Sequence, residues 1–152
     1  MFQEVTAVDK VHPSVSTLIE LWQTRRIAGE VPRRSELDVF TLKPWLGYLT
    51  IFEEIGGDYI VRLDGQKVVD LTGVEWTGRR VSQLNYADRY QLLEVLRSVQ
   101  ASREPLTNRY SFPKNGEFLV FSRVLLPVWE DTRCAAQVIQ CLWPMPNRAG
   151  GC

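Results

Sequence analysis

The chain has 152 residues, the length of one domain, and its 45% hydrophobic and 24% charged residues are typical of a globular protein. Eighteen lysines and arginines balance eighteen aspartates and glutamates, and this net charge of zero argues against binding to a polyanion such as nucleic acid. No apolar run approaches the roughly 20 residues of a membrane-spanning helix, so we expect no membrane partner either.

The start of the chain and its cysteines favour a reducing compartment. Residues 1–4, Met-Phe-Gln-Glu, do not begin a secretory signal, which needs a basic segment followed by an apolar one. Cys134 and Cys141 fall on opposite faces of one predicted strand, so they cannot form a disulfide with each other. We therefore predict a cytoplasmic protein.

The single histidine limits the chemistry of any active site. His12 directly precedes Pro13, which suits the first position of a helix, so we interpret His12 as a residue that flanks a helix start. A Ser-His-Asp triad, a Cys-His dyad or a two-histidine metal site would have to recruit this residue or do without one. We predict no catalytic residue and no metal site.

The first half of the chain predicts one helix followed by a β-hairpin. Apolar residues at helical spacing form one stripe over residues 13–28, namely Val15, Leu18, Ile19 and Trp22. Gly29 is expected to end this helix. Residues 48–54 and 58–63 are rich in β-branched and aromatic side chains, and the Gly-Gly pair between them predicts a tight turn.

The second half predicts further helices and three more strands. Residues 66–71 form a short segment that we interpret as helical, and residues 85–102 carry the apolar stripe of a longer helix. Strands follow at residues 106–113, 118–129 and 134–143, and an Asn-Gly pair between the first two is a strong hairpin signal. The helices of this half therefore lie between two groups of strands.

This order of elements predicts an α+β fold with a five-stranded antiparallel sheet. If the first and last strands are neighbours, both hairpins stay intact and the sheet order is 2-1-5-4-3. The helices between the hairpins then cover one face and leave a cavity, while the N-terminal helix docks on the other face or on a partner chain. We assign residues 1–11 to a flexible leader, 12–143 to one domain and 144–152 to a flexible tail.

Several short motifs occur in an order that resembles a known family. Tyr-Ile-Val-Arg-Leu-Asp-Gly at 59–65 is followed by Gly73 and by Thr-Gly-Arg-Arg-Val at 77–81. The N-terminal helix bears Trp22, and Pro-Arg-Arg follows at 32–34. Together these motifs resemble a PAS domain, and more narrowly a bacterial PAS-like family that opens with a Trp-bearing helix.

The resemblance covers residues 15–143 and implies a sensory, signalling or protein-interaction module. The fold it implies has a pocket between sheet and helices that could hold a small molecule, although Trp76 departs from the family pattern by placing a bulky side chain at the expected pocket mouth. We expect a homodimer that passes its signal to a partner protein. Leu18 and Trp22 are the candidate dimer contacts, unless their helix docks on its own sheet.

Four residues are candidates for ligand contact: Arg62, Trp76, Tyr110 and Arg123. Each arginine lies within a predicted strand, where successive side chains point to opposite faces. On the covered face, a buried guanidinium would need a carboxylate from the protein or from an acidic ligand. The alternatives are an exposed side chain or an internal ion pair for the arginines, and core packing for the aromatic residues.

The residues that coloured PAS cofactors need are missing from their expected places. The Thr77–Arg80 run has no cysteine for flavin photochemistry, and the predicted core has no histidine for haem iron. We predict neither flavin nor haem, which leaves an empty pocket or a small metabolite. A small α+β enzyme and a ligand-free structural adaptor remain alternatives. Against the enzyme, Glu53 and Glu54 point to opposite faces and form no acid–base pair.

Overall fold

The computed structural model describes residues 2–4 and 11–146, which form a six-stranded sheet with helices on both faces. The helices are α1 (Pro13–Arg25), α2 (Gln66–Thr72) and α3 (Arg89–Ser102). The strands are β1 (Phe2–Glu4), β2 (Leu49–Ile55), β3 (Asp58–Asp64), β4 (Leu106–Lys114), β5 (Glu117–Glu130) and β6 (Ala135–Pro144). Short 3-10 helices lie at Arg34–Leu37, Lys43–Tyr48 and Val81–Gln83. Within these described ranges, every helix is too short or too polar to cross a lipid bilayer.

The order of strands in the sheet is β1-β4-β5-β6-β2-β3, with antiparallel pairing throughout. Strands β2 to β6 are the five predicted strands, so the predicted order 2-1-5-4-3 is confirmed. The decisive pairing joins β2 to β6, where Leu49 lies opposite Cys141. Gly56 and Gly57 both have positive φ and form the turn between β2 and β3, as the Gly-Gly pair predicts.

A sixth strand lies at one edge of the sheet and is absent from the sequence-based prediction. β1 pairs with β4, with Gln3 opposite Arg109, so residues 2–4 of the assigned leader belong to the sheet. Residues 1 and 5–10 of that leader and residues 147–152 of the assigned tail lie outside the described residues. A three-residue strand is too short to carry the alternation on which strand prediction depends.

Helices α2 and α3 and the chain between them cover one side of the sheet, called here the roofed face. Leu92, Leu96 and Val99 on one side of α3 share an apolar cluster with Phe52 of β2 and Val138 of β6. The stripe predicted over residues 85–102 therefore packs on the sheet and forms the roof.

Helix α1 covers the opposite side of the sheet, called here the α1 face. Leu18 and Trp22 have no exposed surface and share an apolar cluster with Val124 and Ile139 of the sheet. The indole Nε1 of Trp22 also donates a hydrogen bond to the Pro127 carbonyl (2.8 Å). This docking corrects the dimer interface predicted for Leu18 and Trp22, because a side chain without exposed surface cannot contact a second chain.

Helix α1 ends at Arg25, three residues before the predicted end. Ala28 and Gly29 have φ values of 52° and 79° and form a tight turn in which Ile27 pairs with Glu30. Because the left-handed conformation of these two residues cannot continue a right-handed helix, residues 27–30 form a small hairpin instead.

One arginine joins the two helical layers at a corner of the molecule. Arg26, directly after α1, donates from Nη1 and Nη2 to both carboxylate oxygens of Glu104 (3.0 and 2.8 Å). Its Nη2 also donates to the carbonyl of Arg103 (2.9 Å), the residue that caps the C-terminal end of α3. The end of α1 is therefore tied to the end of α3 across the edge of the sheet.

Candidate ligand cavity

A small cavity lies between the roofed face and the helices that cover it, where the sequence predicts a pocket. It offers about 20 Å³, which is room for about one water molecule. Half of its lining residues are polar, namely Thr50, Asp64, Thr72, Tyr110, Arg123 and Gln140. Trp76 and Leu92 belong to its apolar wall. The cavity thus combines a small volume with a high proportion of polar groups.

Arg123 on β5 holds a positive charge inside the core, with 1% of its surface exposed. Its Nε donates to Oδ1 of Asn108 on β4 (2.9 Å), and its Nη1 donates to Oε1 of Gln140 on β6 (3.3 Å). The guanidinium carbon lies 4.7 Å from the centroid of the Tyr110 ring, a cation–π distance. Burial lowers the pKa of Arg123 to about 10, so the group stays charged at neutral pH.

Asp64, at the end of β3, brings a carboxylate to the same cavity. Its Oδ1 accepts a hydrogen bond from the Thr50 hydroxyl, and its Oδ2 accepts one from the backbone N–H of Trp76, each at 3.0 Å. Burial raises the pKa of Asp64 despite these two hydrogen bonds, because the charged form loses its contact with water. The second bond also holds the Trp76 backbone close to the end of β3.

Aromatic side chains close the cavity. The hydroxyl groups of Tyr86 and Tyr110 share a hydrogen bond, and the Trp76 and Tyr86 rings lie 5.3 Å apart. Phe112 stacks on the other side, 6.2 Å from Tyr86. Burial raises the pKa of both tyrosines, so both phenols are protonated at neutral pH. A ligand larger than water would have to displace part of this aromatic layer.

Three of the four residues predicted to contact a ligand come together here. Trp76, Tyr110 and Arg123 all line the cavity, and Trp76 lies beside Tyr86 at its aromatic cover. The sequence analysis did not identify Asn108 and Gln140, the two residues that accept hydrogen bonds from Arg123. Their signal in the sequence is a single polar residue within an alternating apolar run, a pattern that shows the sheet face but not the partner.

Arg62, the fourth predicted residue, lies outside the cavity. The register between β2 and β3 shifts between Ile51 and Phe52, and this irregularity interrupts the alternation of side chains at Arg62. Its Nη2 donates to Oε2 of Glu53 (2.9 Å) with 41% of the side chain exposed, so Arg62 forms an internal ion pair, one of the predicted alternatives.

Glu53 is the centre of a second polar cluster, which joins three parts of the sheet. Arg133 in the β5–β6 turn binds its Oε1 (2.7 Å), Arg62 on β3 binds its Oε2, and Gln137 on β6 donates to its Oε1 (2.8 Å). The bonds to Arg133, followed by those to Arg62 and Gln137, lower the pKa of Glu53 to about 2 although burial opposes them. We interpret this cluster as stabilising the fold.

The histidine and the cysteines with described positions lie away from the cavity. Nδ1 of His12 accepts a hydrogen bond from the backbone N–H of Ser14 (3.0 Å) and caps α1, which agrees with its predicted place at a helix start. Cys141 is buried in the cluster on the α1 face, and Cys134 is exposed. In residues 11–146, His, Cys, Asp and Glu side chains form no group of three that could hold a metal ion.

Comparisons with known proteins agree with this geometry. The sequence model of the PAS domain family matches residues 10–142. The structure is similar to that of a fungal LOV domain photoreceptor, with a TM-score of 0.51 and 14% identity over 91% of this chain and 95% of the other. It is also similar to the PAS domain from Bordetella pertussis BvgS, with a TM-score of 0.52 and 19% identity over 72% and 87%. Identities this low show a common fold only. Among curated proteins, no sequence matches the chain.

Proposed function

This chain belongs to the PAS domain family, and from that premise we propose that it is a sensory module that binds a small polar molecule in the roofed cavity. The single observation that carries this proposal is the position of Arg123 in the cavity wall. Ligand sites typically combine apolar walls with a few converging polar groups, and this cavity offers a guanidinium, a carboxylate and three hydroxyl groups within such walls.

The charge of Arg123 indicates the class of ligand. A buried cation stabilises a group that accepts hydrogen bonds, above all a carboxylate, because the interaction is stronger in the interior than in water. Asp64 can accept a hydrogen bond from the same molecule. We therefore propose a small ligand that has a carboxylate or carbonyl facing Arg123 and a donor group facing Asp64.

Entry of this ligand requires a change in the aromatic cover. The present volume of about 20 Å³ accommodates a water molecule and nothing larger. Trp76 and Tyr86 lie in the segment between α2 and α3, which has only one 3-10 turn of regular structure. Movement of these two side chains would enlarge the cavity without breaking the sheet.

The residues present do not fit the coloured cofactors found in some PAS domains. The described residues that line the cavity include neither a cysteine for a flavin adduct nor a histidine for haem iron, and the space is far smaller than either group. We propose a protein without a permanent chromophore, and an absorption spectrum free of bands above the aromatic region tests this.

Two further functions compete with ligand sensing. A ligand-free adaptor is favoured by the closed state of the cavity, whose space one water fills. An enzyme has no such support, because Asp64 is the one carboxylate among the described cavity-lining residues, and paired acid–base chemistry would need another group. In either the sensor or the adaptor, the output passes to a partner protein or to a second copy of the chain.

Native mass spectrometry followed by a thermal-shift screen of small carboxylates tests the proposal. We expect a co-purified small molecule or a carboxylate that raises the melting temperature, and loss of that effect in Arg123→Met. Arg109→Met is the matched control, because Arg109 pairs with Ser122 and so points to the opposite sheet face from Arg123. Circular dichroism checks that both variants fold.

The possible outcomes separate the two functions. A carboxylate that stabilises the wild type and Arg109→Met, but not Arg123→Met, supports the sensor. A folded wild type that carries no molecule and responds to no carboxylate supports the ligand-free adaptor and contradicts our proposal.

A further inference from the structure

A second concave site lies at the edge of the sheet, outside the roofed cavity. The pairing of β4 with β5 begins at Leu106 and Leu125, but β5 continues to Glu130 alongside β6. The last part of β5 therefore extends beyond β4. Here the backbone N–H of Trp129 donates to the Pro32 carbonyl (3.0 Å), so the chain after α1 takes the place of a neighbouring strand.

This arrangement leaves a groove, called here the edge groove, of about 570 Å³. Its walls are the hairpin after α1, the overhanging end of β5 with the start of β6, and the end of α3. The volume falls within the roughly 300–1,000 Å³ typical of small-molecule sites, whereas the roofed cavity holds about one water. The edge groove is therefore the larger of these two spaces by far.

Exposed apolar side chains form part of the walls of the edge groove. Ile27 is 71% exposed and Trp129 is 41% exposed, and both line the groove. They are two of the seven large apolar side chains that are exposed in the described residues. Val31, Pro32 and Pro127 extend the same surface. A bound apolar group would remove Ile27 and Trp129 from water, which favours binding.

Charged side chains around the edge groove favour an anionic ligand. Its lining includes three arginines and two glutamates, which leaves one net positive charge. Arg103 pairs with Glu30 (3.2 Å). In the part of the chain that the structure describes, Arg25 and Arg33 form no ion pair within 4.0 Å, although the charge of Arg33 helps to lower the pKa of Asp131. The Nε of Arg25 donates to the Glu36 carbonyl (3.2 Å). Arg25 and Arg33 can therefore bind a carboxylate without breaking an existing pair.

We propose that the edge groove binds a small monocarboxylate with an aliphatic or aromatic body. The body lies against Trp129 and Ile27, and the carboxylate binds Arg33 with support from Arg25. This site is independent of the roofed cavity and does not rest on the function proposed above. Because Gln100 of α3 and Arg103, which directly follows α3, also line it, the ligand contacts both the chain that follows α1 and the roof helix.

Octanoate is a suitable probe, and octanamide is its neutral control with the same alkyl chain. We expect octanoate to bind with a Kd of about 1 mM, since a ligand of this size gains only a few tenths of a kcal/mol per heavy atom. In a nuclear magnetic resonance titration of the labelled full chain, the Trp129 indole and the amides of residues 27–33 should shift. The amides of Tyr110 and Leu142, at the roofed cavity, should not shift.

Variants separate the contributions of charge and apolar contact. Arg33→Gln should weaken octanoate binding about two- to five-fold, the range of an exposed ion pair, while Arg79→Gln, which removes an exposed arginine elsewhere, should leave it unchanged. Trp129→Ala should weaken it at least about five-fold, and Phe118→Ala, which removes another exposed aromatic, should not. The amide spectra of all variants report whether each one is folded.

Three results would overturn the proposal. The first is equal affinity for octanoate and octanamide, which would show that the carboxylate is not recognised. The second is equal weakening by Arg33→Gln and Arg79→Gln, which would indicate a general charge effect. The third is a folded wild type whose octanoate shifts are absent from residues 27–33 or do not saturate.

Discussion

Replacement of Trp22 by alanine should destabilise the protein more than any exposed substitution. Trp22 has no exposed surface, packs among the residues of the α1 face and donates its indole hydrogen to Pro127. Truncation of a buried tryptophan costs about 3–5 kcal/mol, and an unpaired buried carbonyl adds about 1 kcal/mol or more. We therefore expect a loss of about 4–6 kcal/mol, a large part of the roughly 5–15 kcal/mol that stabilises a domain.

Urea unfolding followed by circular dichroism measures this loss without relying on tryptophan fluorescence. Phe40→Ala is the matched control, because Phe40 is 84% exposed and its removal should change stability by no more than about 0.5 kcal/mol. Each variant is measured at two protein concentrations. A loss below about 1 kcal/mol for Trp22→Ala would contradict the docking of α1 on its own sheet. A wild-type midpoint that rises with protein concentration would indicate that α1 docks on another chain instead.

Three other predictions concern pH, steric fit and thiol chemistry. The pKa of Glu53 is about 2 against an ordinary value of 4.5, so its stabilising effect is complete above pH 4.5 and is lost as pH falls towards 2. E53Q should therefore lower the free energy of unfolding by about 1–2 kcal/mol at pH 7, allowing for solvent screening of the half-exposed arginines. In urea unfolding, this difference from wild type should vanish near pH 2. A difference that stays constant with pH would contradict the prediction. Gly65→Ala should cost about 1–3 kcal/mol by thermal denaturation, because its Cβ would lie 2.3 Å from the Gly47 carbonyl oxygen, whereas Gly47→Ala meets only a flexible lysine side chain and should cost less. Burial raises the pKa of Cys141 to about 12, so brief alkylation and peptide mapping should find Cys134 modified and Cys141 protected, and equal labelling would refute the described burial.

The sheet could be predicted from the sequence because its signals are local. The Gly-Gly and Asn-Gly pairs mark both hairpins, and the two hairpins leave few ways to assemble five strands. The sequence-based prediction fails where contacts with distant parts of the chain determine the local structure. β1 depends on pairing with β4, and α1 stops at Arg25 because Arg26 takes an extended conformation (φ −75°, ψ 136°) that helix periodicity does not reveal.

The candidate site was only partly predictable, for a related reason. Alternation along a strand holds for Tyr110 and Arg123, which lie on one face because β4 and β5 pair without interruption. It does not hold at Arg62, because the irregularity between β2 and β3 breaks the alternation there. Gln140 was missed because a single sequence shows the period of a strand but not which residues face each other across the sheet.

The tie between Arg26 and Glu104 restrains one end of the roof of the cavity. It holds the C-terminal end of α3, so a tilt of this helix would pivot about that corner. At 1.5 Å per residue the 14 residues of α3 span about 21 Å, so a tilt of about 10° displaces the N-terminal end by roughly 4 Å. That end adjoins Tyr86 and the aromatic cover, while the edge groove lies beside the pivot. A small displacement of α3 beside the groove would therefore accompany a larger displacement of its other end, above the cavity.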